Sequence, residues 1–431
     1  MAARLMGRVC LPDLIDNVTA YLEAAMATVL EQPMVGYPVE LAKYAGKMCD
    51  ADAHEWVPSE LWVEMFGEVT RPFAELDFHN LKGMKNNYFK DVDSELQNSL
   101  NFRSAWFGKG PYAYGSYDLD QRLEWMDFCG IDKQIIFPGN LAINALFLYA
   151  NADVPSFFPQ ITGDRRCYAV QMIRAQNDWV VRSQKQSSRL RPVAVLIGET
   201  PDEIYAEAKN LVDRGVRAVW FPSSMLPGGM SPAHSSLDRM WALLADSDTV
   251  VTTHVGNEAG FYRTLDWREA EAFKGFLIGE EIELDPWTVS TMHLPSLNFL
   301  TAVVTGGVFE RNPNLRYAAV ETGAHWIGPM SHYLDMWGWE AKGSALWRAK
   351  LPKKPSEYLA RNVRCAGFPW EPIDKYITDN GLEDCYCYAS DFPHVEGGTD
   401  SMHNWASRLA GMGDAITEKF FVKNAQWIMP D

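Results

Sequence analysis

Asp52 and His54 stand two apart in the run MCDADAH, and a strand would point both side chains to one side. A carboxylate and an imidazole aimed at one point can share a metal ion. Three more residues of the same chemistry close later apolar runs: His254 ends TVVTTH, Glu321 ends LRYAAVE, and Asp391 ends CYCYASD. Alone, each has an ordinary explanation, since a lone strand-end Asp is usually a helix cap. Together they form an oxygen-rich donor set without a thiolate, which suits iron or manganese as well as zinc and disfavours a structural zinc site. Five ligands exceed what one zinc ion takes. Mixed carboxylate and imidazole sets also hold pairs of iron ions, so a binuclear centre with a bridging carboxylate is expected. His394 follows in SDFPH and is expected to act with Glu321 and Asp391 in catalysis, as a ligand, an acid/base, or a group orienting Asp391. His293 and His325, in ETGAHW, are weaker candidates. His332 reads as a packing or solvent-facing residue, and Cys385 and Cys387 as small core residues.

Such residues need elements that bring them together. Short β-branched and aromatic runs alternate with amphipathic helical stretches from residue 48 onward. The runs are MCDADAH (48–54), QIIFPG (134–139), PVAVLIG (192–198), RAVWFP (217–222), TVVTTH (249–254), LRYAAVE (315–321), NVRCAG (362–367) and CYCYASD (385–391). Runs of this kind between helices imply parallel strands buried on both faces. Eight βα units predict a (β/α)8 TIM barrel, whose active site lies at the C-terminal ends of the strands. An open doubly wound sheet is the alternative, weakened because no glycine-rich phosphate loop follows the first run. Residues 1–47 read as an N-terminal helical arm, and arms of this kind often go with a homodimer. Residues 48–431 read as the catalytic domain. The aromatic-rich segment 55–117 reads as an inserted cap over the C-terminal face, either a small second core or an apolar pocket wall. Residues 256–292 read as a second long insertion.

The chain has 431 residues, 47% hydrophobic and 22% charged, which is globular composition. Its net charge of −17 argues against a nucleic-acid partner. No apolar run approaches the roughly 18 residues of a membrane span, and the N-terminus does not read as a signal peptide. Seven cysteines without a CxxC pair read as the reduced thiols of a cytoplasmic protein. Arg348, Lys353 and Lys354, with Lys350, form a local basic cluster that could anchor a phosphate-bearing ligand such as coenzyme A; Lys82, Lys85 and Lys90 form a similar one. A solvated face explains either cluster equally well.

DADAH, TTHVG, GGVFERNPNLRYAAVETGAHW and YASDFPHVEGG resemble the amidohydrolase-2-like family of metal-dependent TIM barrels, over residues 48 to 428. Two departures stand out. Many members begin with His-x-His or Glu-x-His where this chain has Asp52 and His54, and many carry His-x-Gly-Gly where it has Glu321-Thr322-Gly323-Ala324. These departures resemble a branch that includes a nonheme di-iron monooxygenase of platensimycin and platencin biosynthesis. That resemblance implies two iron ions on Asp52, His54, His254, Glu321 and Asp391, with molecular oxygen and an external electron donor. It also implies hydroxylation of a bulky apolar, CoA-linked substrate, a diterpenoid included. The alternative is a zinc- or manganese-dependent hydrolase or decarboxylase in which Asp391 is the general base. A non-enzymatic metal-bound scaffold fits poorly with so many ionisable residues at one face.

Overall fold

Nine short parallel strands trace the barrel in the computed structural model, which describes residues 37–75, 98–256, 267, 270–273 and 285–431. They are β1 (Met48–Asp50), β2 (Ile131–Ile136), β3 (Leu190–Pro192), β4 (Ala194–Val195), β5 (Ala218–Trp220), β6 (Val250–Thr253), β7 (Tyr317–Ala319), β8 (Val363–Ala366) and β9 (Tyr386–Cys387). Every pairing is parallel, in the orders β1-β2-β3 and β4-β5-β6-β7-β8-β9. β3 and β4 are two halves of one barrel strand, parted at Val193, whose N–H still donates to the Ile136 carbonyl at 2.9 Å. The other seam closes β9 onto β1. Ala51 N–H donates to the Tyr388 carbonyl, Asp391 N–H to the Asp52 carbonyl and His54 N–H to the Phe392 carbonyl, at 3.0, 2.9 and 2.7 Å. The eight expected runs are the eight barrel strands.

Local chemistry explains the alternation. Thr200 caps the helix Pro201–Asp213 by accepting from Glu203 N–H, and Pro201 occupies its first turn. Asp118 and Asp164 cap the helices Leu119–Cys129 and Arg165–Ser183 in the same way. The strands are buried nearly throughout, as two-sided cover requires. Pro38–Asp431 forms one compact unit. Among the described residues no helix is long and apolar enough to cross a membrane.

Most of the N-terminal arm expected at 1–47, the second basic cluster at Lys82, Lys85 and Lys90, and much of the insertion at 256–292 lie outside the described residues. Of segment 55–117, the described parts bury Trp56, Trp62, Phe66, Phe73 and Trp106. Trp62 Nε1 donates to the Val57 carbonyl at 2.9 Å. The segment packs on the helix Arg165–Ser183, Phe66 against Trp179 and Phe73 against Tyr168. An open groove of about 1130 Å³ runs between it and the helix Arg165–Ser183, lined by Phe66, Tyr117, Arg174, Trp179 and Arg182 among others. None of the metal-ligand candidates lines that groove.

Candidate metal centre

All five expected ligand residues meet at the C-terminal end of the barrel. Asp52 and His54 leave β1, His254 follows β6 directly, Glu321 follows β7 and Asp391 follows β9. One ligand atom from each of Asp52, His54, His254 and Glu321 lies within 4.8 Å of the others, and the same holds for His54, Glu321, Asp391 and His394. Glu321 Oε2 is 2.9 Å from His254 Nε2 and 3.5 Å from His54 Nε2. His54 Nε2 also lies 3.4 Å from Asp52 Oδ1 and 3.6 Å from Asp391 Oδ1. His394 Nδ1 is 3.0 Å from Asp391 Oδ1, and the His394 ring lies over that of His54 with centroids 3.9 Å apart, so this histidine meets the cluster at both residues.

The backbone is bent to achieve this. Glu321 and Asp391 both adopt positive φ, 50° and 51°, a conformation uncommon for residues with a side chain. Strain of this kind persists where surrounding structure over-determines it. At Asp391 the surroundings are its N–H on the Asp52 carbonyl and the hydrogen bond to His394. His254 Nδ1 is 2.9 Å from the Val255 carbonyl, which makes Nδ1 the protonated nitrogen and turns Nε2 toward the carboxylates.

Charges in the cluster are interdependent. Burial opposes ionisation of Glu321, but His254 and then His54 overcome it and hold the carboxyl well below its ordinary range. Asp52 is also lowered, burial again being outweighed by His254 and His54. For His254, burial is outweighed by Glu321 and Asp52, and its pKa is lifted to about 10. Asp391 goes the other way, pushed up to about 7 by burial and then by the Glu321 charge.

The donor set fits a divalent cation. Asp52 Oδ1, Asp391 Oδ2 and both ring nitrogens of His54 are buried without a hydrogen-bond partner in the protein. Native interiors leave few such atoms orphaned, because each costs desolvation free energy that nothing returns. Orphaned atoms also occur elsewhere in the interior, as at Ser59 and Trp106, but those of Asp52, His54 and Asp391 belong to metal-ligating residue types that bring one ligand atom each together with His254 and Glu321.

Three buried ionisable residues that the sequence reading passed over support the cluster. Asp50 accepts from Ser390 N–H, Ser390 Oγ, Gln134 Nε2 and Asp52 N–H, at 2.9, 2.5, 2.8 and 3.2 Å. It ties β1 to the turn that carries Asp391. Alternation in DADAH could have revealed it. Arg122 is wholly buried and donates to the His54, Ser116 and Gly115 carbonyls and to Gln134 Oε1. Glu371 accepts from Ala324 N–H just beyond Glu321. No spacing in the sequence announces either of the last two.

Other candidates sit apart. His293 and His325 pair edge-on with ring centroids 4.7 Å apart, and burial followed by His325 pulls His293 down to about 4. Neither belongs to the two ligand groups found among the described residues. Arg348 lies on the exposed helix Ala345–Lys350 and donates to the Trp339 carbonyl at 3.0 Å, and Lys353 and Lys354 lie just beyond that helix. Cys385 and Cys387 are buried in the barrel wall, and no disulfide occurs among the described residues.

The family described as Amidohydrolase matches residues 49–427. The chain belongs to that family. Solved structures similar to this amidohydrolase-family chain include an amidohydrolase from Mycobacterium avium subsp. paratuberculosis K-10, 20% identical, covering 73% of this chain and 74% of that one with a TM-score of 0.57. A 2,6-dihydroxybenzoate decarboxylase from Rhizobium is 14% identical, with 89% and 98% covered and a TM-score of 0.54. A 5-carboxyvanillate decarboxylase from Novosphingobium aromaticivorans DSM 12444, crystallised with manganese and 3-methoxy-4-hydroxy-5-nitrobenzoic acid, is 16% identical, with 90% and 98% covered and a TM-score of 0.53. Comparison with curated proteins finds no match.

These findings correct the expected activity. The family is shown, but two of these three similar structures are decarboxylases, one of them holding manganese, and none of the three is a monooxygenase. The di-iron monooxygenase, with its oxygen, external reductant, and CoA-linked or diterpenoid substrate, is therefore withdrawn. The physical reason is that carboxylates and imidazoles are donors shared by iron, manganese and zinc, so their number did not specify iron.

Proposed function

We propose that this amidohydrolase-family protein is a divalent-metal-dependent lyase that decarboxylates a small organic acid, with manganese or zinc as the ion. The observation that carries this reading is the convergence of buried, partnerless ligand atoms of Asp52, His54 and Asp391 with His254 and Glu321 at the C-terminal end of the barrel. The fold likeness to decarboxylases of benzoate-type acids adds support.

In this reading Asp52, His54, His254 and Glu321 would hold the ion, which would supply Lewis-acid polarisation of a substrate oxygen. Asp391 stands beside this set, with His394 on its Oδ1. The scissile C–C bond breaks, carbon dioxide leaves, and the bonding electron pair stays on the substrate carbon. Asp391 delivers the proton that this carbon takes up, and His394 orients the carboxyl and restores its proton. Trp56, packed edge-on against His394 at 5.3 Å, shields this pair from water.

A hydrolase is the second reading, because the same carboxyl could act as general base on water. The test is to load the purified chain with manganese or zinc and offer a panel of hydroxybenzoic and other small carboxylic acids. Anaerobic release of carbon dioxide is the expected result. Turnover of esters, amides or lactones without carbon dioxide would replace decarboxylation by hydrolysis.

A further inference from the structure

Glu371 is a buried carboxylate that the proposed chemistry does not use. It lies in the turn between β8 and the helix Ile373–Asn380, beside the turn that leaves β7. Both of its oxygens accept from Ala324 N–H at 3.0 Å, and Oε1 also accepts from Phe368 N–H at 2.7 Å. Its Oε2 lies 3.9 Å from His325 Nδ1. One carboxylate thus grips two adjacent βα turns, one of which carries Glu321.

The surroundings are built for this grip. A Cβ added at Gly367 would come within 2.9 Å of Glu371 Oε1 and 3.1 Å of the Ala324 Cβ. A Cβ at Gly323 would come within 2.8 Å of His325 Nδ1 and 3.4 Å of Glu371 Oε1, and Gly323 is itself at positive φ, 72°. The path from ligand to clamp is short: Glu321 at φ 50°, Thr322, Gly323 at φ 72°, then the N–H of Ala324 held by Glu371. Trp326 Nε1 donates to the Thr322 carbonyl at 3.2 Å and Cys365 Sγ to the Gly323 carbonyl at 3.6 Å, and the Glu371 grip on Ala324 N–H anchors the end of the turn.

We propose that Glu371 is a positioning residue of the metal centre: by holding Ala324 N–H it fixes the turn that aims the Glu321 carboxylate at His54 and His254. This rests on the metal reading above. Groups that orient ligands without touching the ion typically change metal affinity by about 10- to 100-fold when removed.

The test uses the full chain, stripped with a chelator and titrated with Co²⁺, as wild type, Glu371→Ala and Glu371→Leu, neither of which keeps an acceptor for Ala324 N–H. A chelating dye in competition gives the affinity, and the visible d–d absorption of Co²⁺ reports its coordination. Asn362→Ala is the structural control. Asn362 is buried at the start of β8, away from the strand ends that carry the ligands, and donates to the Pro313 and Leu315 carbonyls. The expected result is a Co²⁺ affinity lower by about 10- to 100-fold with a changed d–d spectrum in both Glu371 variants. Asn362→Ala should lower the thermal midpoint yet keep the wild-type affinity and spectrum. Wild-type affinity and spectrum in a folded Glu371 variant would overturn the proposal. So would an equal loss of affinity in Asn362→Ala, which would reduce Glu371 to general scaffolding. Failure of the wild-type chain to bind Co²⁺ at all would instead bring down the metal reading, and this inference with it.

Discussion

The proposed reading gives Asp391 and His394 different duties from Asp52, His54, His254 and Glu321, and single substitutions should separate them. His54 offers two buried nitrogens without partners. Its replacement by Ala removes a donor that nothing nearby can supply. His54→Ala and Glu321→Ala are therefore expected to lose metal affinity by more than about 100-fold, beyond the effect of removing a group that only orients a ligand. Metal content by elemental analysis after dialysis checks this, and a metal-replete Glu321→Ala would contradict the ligand assignment. His394 meets Asp391 at 3.0 Å and lies against the His54 ring. His394→Ala should keep its metal and lose turnover by about 10²- to 10⁴-fold, the usual contribution of a positioned acid/base partner. Loss of metal in that variant would make His394 a ligand instead.

The seam between β9 and β1 is the element on which the site depends. Strands of two and three residues cannot hold a register by ladder hydrogen bonds alone. The Asp50 carboxylate supplies what is missing by accepting from both the N–H and the hydroxyl of Ser390. Arg122 does the same from outside by binding the His54 carbonyl and stacking over the Phe392 ring at 4.8 Å. Burial, opposed by Asp50 and Glu55, lowers the Arg122 pKa to about 9. Removing a buried charged group strands its partners, so Arg122→Ala should cost about 3–5 kcal/mol of stability. Urea denaturation of the metal-free protein would measure this, and a change below about 1 kcal/mol would show that the seam holds itself. The strands made legible by their β-branched runs gave the ligand positions, because strand ends in a barrel converge. Arg122 was not legible, since a lone Arg on an amphipathic helix looks like any surface Arg until the barrel closes over it.

For the molecule as a whole, the centre links activity to stability. A ligand that binds the folded chain alone stabilises it by mass action, about 2.7 kcal/mol at one hundred times its dissociation constant. Treatment with a chelator should therefore abolish turnover and lower the thermal midpoint together, and Mn²⁺ or Zn²⁺ should restore both. Differential scanning fluorimetry beside a carbon dioxide assay checks this; a chelator that removes activity and leaves the midpoint unmoved under saturating metal would uncouple the two. In the aromatic segment after β1, Trp62 and Phe73 are buried, and Trp56 packs on His394.

The sequence by itself determined the barrel and pointed to the five side chains that its strand ends bring together. A period of one strand and one helix, repeated eight times, has few solutions, and Asp52, His54, His254, Glu321 and Asp391 each stood where a run ended. Only the tertiary structure decided how they face one another: that His394 meets both Asp391 and His54, that His293 turns to His325 instead, and that Asp50, Arg122 and Glu371 hold the rim. Those contacts join residues up to 340 positions apart, as between Asp50 and Ser390. Spacing along the chain carries no signal over such separations, whereas closure of the barrel makes them neighbours. The choice of metal lay beyond both the motif and its count of carboxylates, because the donors are common to several ions.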